Sequence, residues 1–219
     1  MMTMNEIMEK IKPFRIVPVI AIDSENDAIS LADALIRGGL PVAEITFRTT
    51  AAAAVICKIR KERPDVIVGA GTILTIENLK AAIDSGAQFG VAPGLNPDIV
   101  AEAKKLSFPF IPGIITPSEI EKALSLGCKF LKFFPAGDAG GPKMLKSLCG
   151  PYAHTGVKFM PTGGVTPENL GSYLEIAALA AVGGTWIAKK EDISGGKWSE
   201  IESRCKSAGK FVMEFTSRK

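Results

Sequence analysis

The sequence predicts an α/β fold closed as a (β/α)8 TIM barrel, and three observations predict it. Short apolar runs alternate with longer segments of helical periodicity, eight times over, at intervals of about 20–28 residues, the spacing of repeated βα units. Composition does not shift along the 219 residues and no linker interrupts them, so residues 1–219 read as one domain. The turn after the first strand, Ala21-Ile22-Asp23-Ser24, lacks the glycines that an open doubly wound sheet, the alternative, usually carries there for a nucleotide. Eight parallel strands with intervening helices close naturally into a barrel.

In chain order, Met4, Ile7, Met8 and Ile11 recur at helical spacing, so residues 5–12 read as a short amphipathic helix ended by Pro13. Residues 15–21 are strand-like. Residues 24–37 are helix-like, with Gly38-Gly39 as the stop. The second strand is 43–47 and its helix 51–63. The third strand is 66–71 and its helix 76–85, stopped by Gly86. Strands at 88–92 and 108–112 are followed by helices at 97–106 and 117–126. The sixth strand is 129–134, with a helix around 142–148. The seventh is 157–161, with a helix over 167–174, and the eighth is 179–182. In the tail, Trp198, Ile201, Cys205, Ala208, Val212 and Phe215 fall at three- and four-residue steps. Residues 197–215 therefore read as a closing amphipathic helix packed against the barrel.

Composition narrows the function classes. The formal net charge is +3, and the basic residues are scattered among acids with no aromatic interleaving, which argues against a nucleic-acid partner. Cys57, Cys128, Cys149 and Cys205 form no CxxC pair, and His154 is the only histidine, so no zinc-ligand spacing exists and no metal is expected. His154 lies in the polar turn from Tyr152 to Gly156 and reads as a surface residue. The chain opens without a basic-then-apolar signal pattern and has no run approaching 18 apolar residues. The expectation is a cytoplasmic protein with reduced thiols and no membrane partner.

In a parallel barrel, chemistry collects at the carboxyl ends of the strands. The sixth strand, Lys129-Phe130-Leu131-Lys132-Phe133-Phe134-Pro135, holds a lysine inside an apolar run. Burial disfavours the charged form of a lysine, and the neutral amine attacks carbonyl carbon to give a Schiff base. The plainer reading is a lysine at a strand end whose amine snorkels to water. On the second strand, Ala43, Ile45 and Phe47 share one face while Glu44, Thr46 and Arg48 share the other. The apolar face suits the helix layer, so the polar face points into the barrel or its mouth. Glu44 there is either a proton-transfer group or the structural partner of Arg48. The third strand ends Gly69-Ala70-Gly71-Thr72 and the fifth Pro112-Gly113-Ile114-Ile115-Thr116. Their small residues leave room for a ligand, although Thr116 before Pro117 is better read as a helix N-cap. Gly163-Gly164 and Gly183-Gly184 follow the seventh and eighth strands, where paired glycines let backbone N–H groups approach a phosphate.

Taken together, Glu44-Ile45-Thr46-Phe47-Arg48, Gly69-Ala70-Gly71-Thr72, Ile111-Pro112-Gly113, Lys132-Phe133-Phe134-Pro135, Pro161-Thr162-Gly163-Gly164 and Gly183-Gly184-Thr185 resemble the motifs of the class I 2-keto-3-deoxy-6-phosphogluconate (KDPG) and 4-hydroxy-2-oxoglutarate aldolases. The resemblance runs in order over residues 15–189. It implies Lys132 as the Schiff-base lysine and Glu44 as the general acid/base. It implies that Arg48, Thr72, Pro93, Phe134 and Thr162 hold the substrate, and that Gly163, Gly164, Gly184 and Thr185 bind its phosphate. No cofactor beyond the covalent lysine adduct is implied, and the family is typically a homotrimer. Two positions depart from many relatives: Gly137 stands where they have glutamate and Thr185 where they have serine. Both bear on the preferred acceptor aldehyde.

The expected reaction is reversible cleavage of KDPG to pyruvate and glyceraldehyde 3-phosphate. 4-Hydroxy-2-oxoglutarate is a further candidate substrate and 2-keto-3-deoxy-6-phosphogalactonate the alternative one. Two rivals remain at this level. A phosphate-binding barrel isomerase or synthase would need the glycine loops but no lysine imine. A silent phospho-sugar binding protein would need neither Lys132 nor Glu44.

Overall fold

The structure, a computed structural model, describes residues 2–217. Helix α1 (Met4–Ile11) opens on a capping box, in which the Thr3 hydroxyl accepts from the Glu6 amide and the Glu6 side chain returns to the Thr3 amide. Its buried stripe is Ile7, Met8 and Ile11. Next come β1 (Ile16–Ile20), a 3-10 turn and α2 (Ala28–Arg37), then β2 (Val42–Thr46) and α3 (Ala52–Glu62). The alternation continues with β3 (Ile67–Gly71), α4 (Ile76–Asp84), β4 (Phe89–Val91) and α5 (Pro97–Lys105). Thr75, Asn96 and Thr116 each cap the helix that follows, the last of them as expected.

The fifth unit departs from expectation. Its strand is split into β5 (Phe110–Ile111) and β6 (Gly113–Ile114) before α6 (Pro117–Ser125). Pro112 sits at the break, where it has no N–H to give a ladder. Then come β7 (Phe130–Phe133), α7 (Gly141–Tyr152), β8 (Lys158–Pro161), α8 (Leu170–Leu174) and β9 (Val182–Gly184). The last strand begins at Val182, not Leu179. A short helix absent from the sequence reading, α9 (Lys190–Ser194), precedes the closing helix α10 (Trp198–Ser217).

All strand pairs are parallel, and they form two arcs, β5-β4-β3-β2-β1-β9 and β6-β7-β8. Together they make the curled parallel sheet of an α/β fold, in two arcs. The split at Pro112 divides the arcs on one side. On the other, β8 and its flank are joined to β9 and the segment before it by the isolated bridges Phe159↔Leu179 and Thr162↔Gly183. Both faces of β1, β2 and β3 are buried, as parallel strands under helices require. Phe89, Phe133 and Phe159 are fully buried in the core, each burial stabilising by about 1.5–3 kcal/mol. Helix α10 buries Ile201, Cys205, Ala208 and Val212, four of the six residues in its expected stripe. A side chain at Gly38 would collide with Cys205, so that glycine lets α10 lie close against the end of α2. Among the described residues, no helix is long and apolar enough to cross a membrane.

Candidate active site

Leu131 and Phe133 of β7 are fully buried, and the intervening Lys132 points the other way, toward the interior. Its Nζ lies 3.3 Å from Glu44 Oε1 of β2, with only 6% of the lysine side chain and none of the glutamate exposed. β2 and β7 belong to different arcs and are not neighbours in either. Their side chains therefore meet across the space that the two arcs enclose.

Taking two charges out of water costs several kcal/mol per ion, so a buried pair is a poor device for stability. Glu44 Oε2 is also buried and has no hydrogen-bond partner among the described residues. A carboxylate oxygen left without a partner beside a buried amine is free to take or give a proton. The Lys132 amine also sits 5.5 Å from the centroid of the Phe134 ring. The buried pairing removes both plain readings. Lys132 does not snorkel, and the carboxylate of Glu44 rests on Lys132 instead of Arg48.

The small residues of β3 have an unexpected use. A side chain at Gly71 would fall on the Glu44 carboxylate, and one at Gly69 on the Phe89 ring. The space the two glycines open is filled by the protein itself, and it seats Glu44 beside Lys132. The next residue, Thr72, has φ 58°, a left-handed conformation that costs a non-glycine residue about 1–3 kcal/mol. That strain aims the end of β3 where an unstrained strand would not go. At the end of β4, Pro93 lies half-buried, and Gly113 of β6 leaves room for the Pro93 carbonyl.

The remaining predicted residues, Arg48 apart, gather at the ends of β7, β8 and β9. Thr162 is buried, and its amide donates to the Phe133 carbonyl at 3.0 Å. Gly163 and Gly164 have φ +85° and +76°, which only glycine adopts cheaply. The loop after β7 is tied to them: the Ala136 amide donates to Thr162 O and the Gly137 amide to Gly163 O, both at 2.8 Å. Gly137 is so close to Gly164 that a side chain at either would strike the other's backbone. Trp186 covers Gly184, and Thr185 is exposed. Arg48 is exposed at the end of β2.

Asn169 escaped the sequence reading. Its amide nitrogen donates to Gly164 O at 2.8 Å, and its oxygen accepts from the Thr166 amide at 2.9 Å, bracing the glycine loop from behind. An asparagine three residues after the threonine of a Gly-Gly-Val-Thr turn was the available signal.

No group of three or more His, Cys, Asp or Glu that could hold a metal ion exists among the described residues. His154 is exposed in a 3-10 turn. A groove of about 1140 Å³ lies between α1, α10 and the N-terminal ends of β7 and β8, the face of a parallel sheet opposite its chemistry.

Comparison with known proteins bears on what such a lysine and carboxylate do. A family model described as "Aldolase: KDPG and KHG aldolase" matches residues 7–204. A 2-dehydro-3-deoxy-phosphogluconate aldolase of Haemophilus influenzae is 48% identical over 199 residues, covering 91% of this chain and 93% of that protein. A protein of the same name from Treponema pallidum is 43% identical over 201 residues, covering 92% and 93%. Among solved structures, KDPG aldolase of Legionella pneumophila, captured with pyruvate as a covalent carbinolamine intermediate, superposes with a TM-score of 0.89. It shares 35% identity and covers 94% of this chain and 98% of that one.

Proposed function

The chain belongs to the KDPG and KHG aldolase family, and from that membership we propose how its residues carry out the reaction. It is a class I aldolase that cleaves 2-keto-3-deoxy-6-phosphogluconate to pyruvate and glyceraldehyde 3-phosphate, through a lysine Schiff base and without a separate cofactor. The observation that carries the assignment of residues is the buried contact of 3.3 Å between Lys132 and Glu44.

The Lys132 amine attacks the C2 carbonyl carbon to give a carbinolamine, which loses water to leave an iminium. Glu44 supplies and removes the protons of that dehydration, directly or through water. The iminium is an electron sink. A base takes the C4 hydroxyl proton, the C3–C4 bond breaks, its electrons enter the iminium to form an enamine, and the aldehyde departs. Protonation at C3 and hydrolysis then release pyruvate and restore the lysine. Arg48, whose planar fork suits a carboxylate, holds the pyruvyl end with Thr72, Thr162, Pro93 and Phe134. Gly163, Gly164, Gly184 and Thr185 take the phosphate; the left-handed glycines, which can turn N–H groups toward an anion, support this.

The two sheet arcs and the isolated bridges that join β8 and its flank to β9 and the segment before it support reading residues 1–219 as a single (β/α)8 barrel. A homotrimer, which the family resemblance implies, and a cytoplasmic location, expected from cysteines that form no pairing pattern, complete the reading.

The direct test is pyruvate release from KDPG, 2-keto-3-deoxy-6-phosphogalactonate and 4-hydroxy-2-oxoglutarate, each with and without exhaustive chelation. KDPG is expected to be the best substrate, with activity intact under chelation. Loss of activity restored by a divalent ion would assign the chain to metal-dependent chemistry.

The phosphate loop has its own test. Gly164→Asp places a carboxylate where the phosphate is assigned, while Gly164→Ala imposes the same backbone strain without the charge. The aspartate variant is expected to raise KM for KDPG by about tenfold or more over the alanine variant, roughly 1.4 kcal/mol. KM for unphosphorylated 4-hydroxy-2-oxoglutarate should differ little between the two. Equal differences for both substrates would remove the phosphate from this loop.

A further inference from the structure

We infer that Thr46 is a positioning residue for Arg48, fixing the guanidinium that receives the substrate carboxylate; this rests on the aldolase reading above. Thr46 is the last residue of β2 and only 1% exposed. Its hydroxyl has one proton, and it donates that proton to the Ile20 carbonyl at 3.0 Å. Ile20 ends the neighbouring strand β1, so the rigid parallel ladder sets the direction of the hydroxyl. The Thr46 oxygen is left as an acceptor, and Arg48 Nε donates to it at 3.2 Å.

The arrangement matters because Arg48 itself is exposed and lies beyond the strand, where nothing in the β2 ladder holds it. An arginine side chain has about 2 kcal/mol of rotamer entropy to lose before a bidentate contact can form. Holding Nε in advance removes part of that loss. It also selects the edge presented: with Nε committed to Thr46, a carboxylate meets the Nη1 and Nη2 end of the fork. Thr46 lies two residues after Glu44 on one face of β2, and two residues before Arg48 in the turn that follows the strand. The end of β2 thus sets both the proton-transfer group and the carboxylate clamp, and Thr46 ties the clamp to β1.

The test compares Thr46→Val and Thr46→Ser, each alone and combined with Arg48→Ala. The readout is the pyruvate dependence of borohydride trapping on Lys132. Thr46→Val is expected to raise the half-saturating pyruvate concentration about tenfold, the order for one hydrogen bond to a charged group, with the saturated trapping rate unchanged. Thr46→Ser should stay within about twofold of wild type, because it keeps the hydroxyl. In the Arg48→Ala background, Thr46→Val should add nothing to half-saturation. An unaltered half-saturation in Thr46→Val, or an equal rise with and without Arg48, overturns the inference. Thr46→Ala, which also lacks the hydroxyl, gives the same readout if the valine variant does not fold. Absence of trapping in the wild-type protein would instead overturn the aldolase reading, so the two failures are distinguishable.

Discussion

Lys132→Met is expected to lower KDPG cleavage by at least about 10⁴-fold, a conservative share of an enzymic acceleration that is commonly 10⁶ or more. Without the amine there is no iminium, so the C3–C4 electrons have nowhere to go. Lys132→Arg should be as inactive, because a guanidinium keeps the charge but is not a nucleophile for carbonyl carbon. The variant has a structural cost to separate from the chemical one. Glu44 is fully buried against Lys132, and removing one partner of a buried pair typically destabilises by about 3–5 kcal/mol. Lys132→Met should therefore melt lower, and Lys132→Met/Glu44→Gln should recover part of the loss by leaving no carboxylate unpaired. Borohydride reduction of the wild-type protein with pyruvate should add the reduced adduct mass to the peptide containing Lys132. Labelling of a different lysine, with a folded and active Lys132→Met protein, would overturn the mechanism.

Glu44→Gln separates proton transfer from imine formation. The amide has nearly the shape of the carboxylate, so packing around the interior contact should survive. The sensitive measurement is hydrogen–deuterium exchange at the pyruvate methyl group, which requires proton removal from the iminium and no aldehyde. Exchange is expected to fall by at least about 10²-fold, the low end of what a general acid–base group contributes. Pyruvate should still be trapped on Lys132, more slowly, because carbinolamine dehydration also needs a proton. Wild-type exchange in folded Glu44→Gln protein would make Glu44 a structural partner of Lys132 only.

Much of this site was readable from local pattern. Lys132 in its apolar strand, the polar face of Glu44, Thr46 and Arg48, and the paired glycines at 163–164 and 183–184 all obey period-two alternation or turn chemistry, which act over a few residues. What the reading missed was the use of those residues by others. Gly69 and Gly71 looked like space for a ligand, yet the Phe89 ring and the Glu44 carboxylate occupy it. The fifth strand was read as ending at Pro112, yet β6 resumes beyond that proline. Asn169, not singled out in the sequence, braces the Gly164 loop.

The sequence by itself determined the alternation of strands and helices, the family, and the face on which each reactive side chain lies, because these follow from spacing along one strand or one turn. Only the tertiary structure decided which residues face each other. Lys132 and Glu44 are 88 residues apart and lie on strands that are not adjacent, so no local pattern records their contact. Curling the two arcs around a shared interior brings them within 3.3 Å, and the missing side chain at Gly71 makes room for the carboxylate. The same is true of Thr46. Its place on the strand was legible and Arg48 lies only two residues on, but its hydrogen bond to the Ile20 carbonyl depends on β1 lying alongside β2 in register.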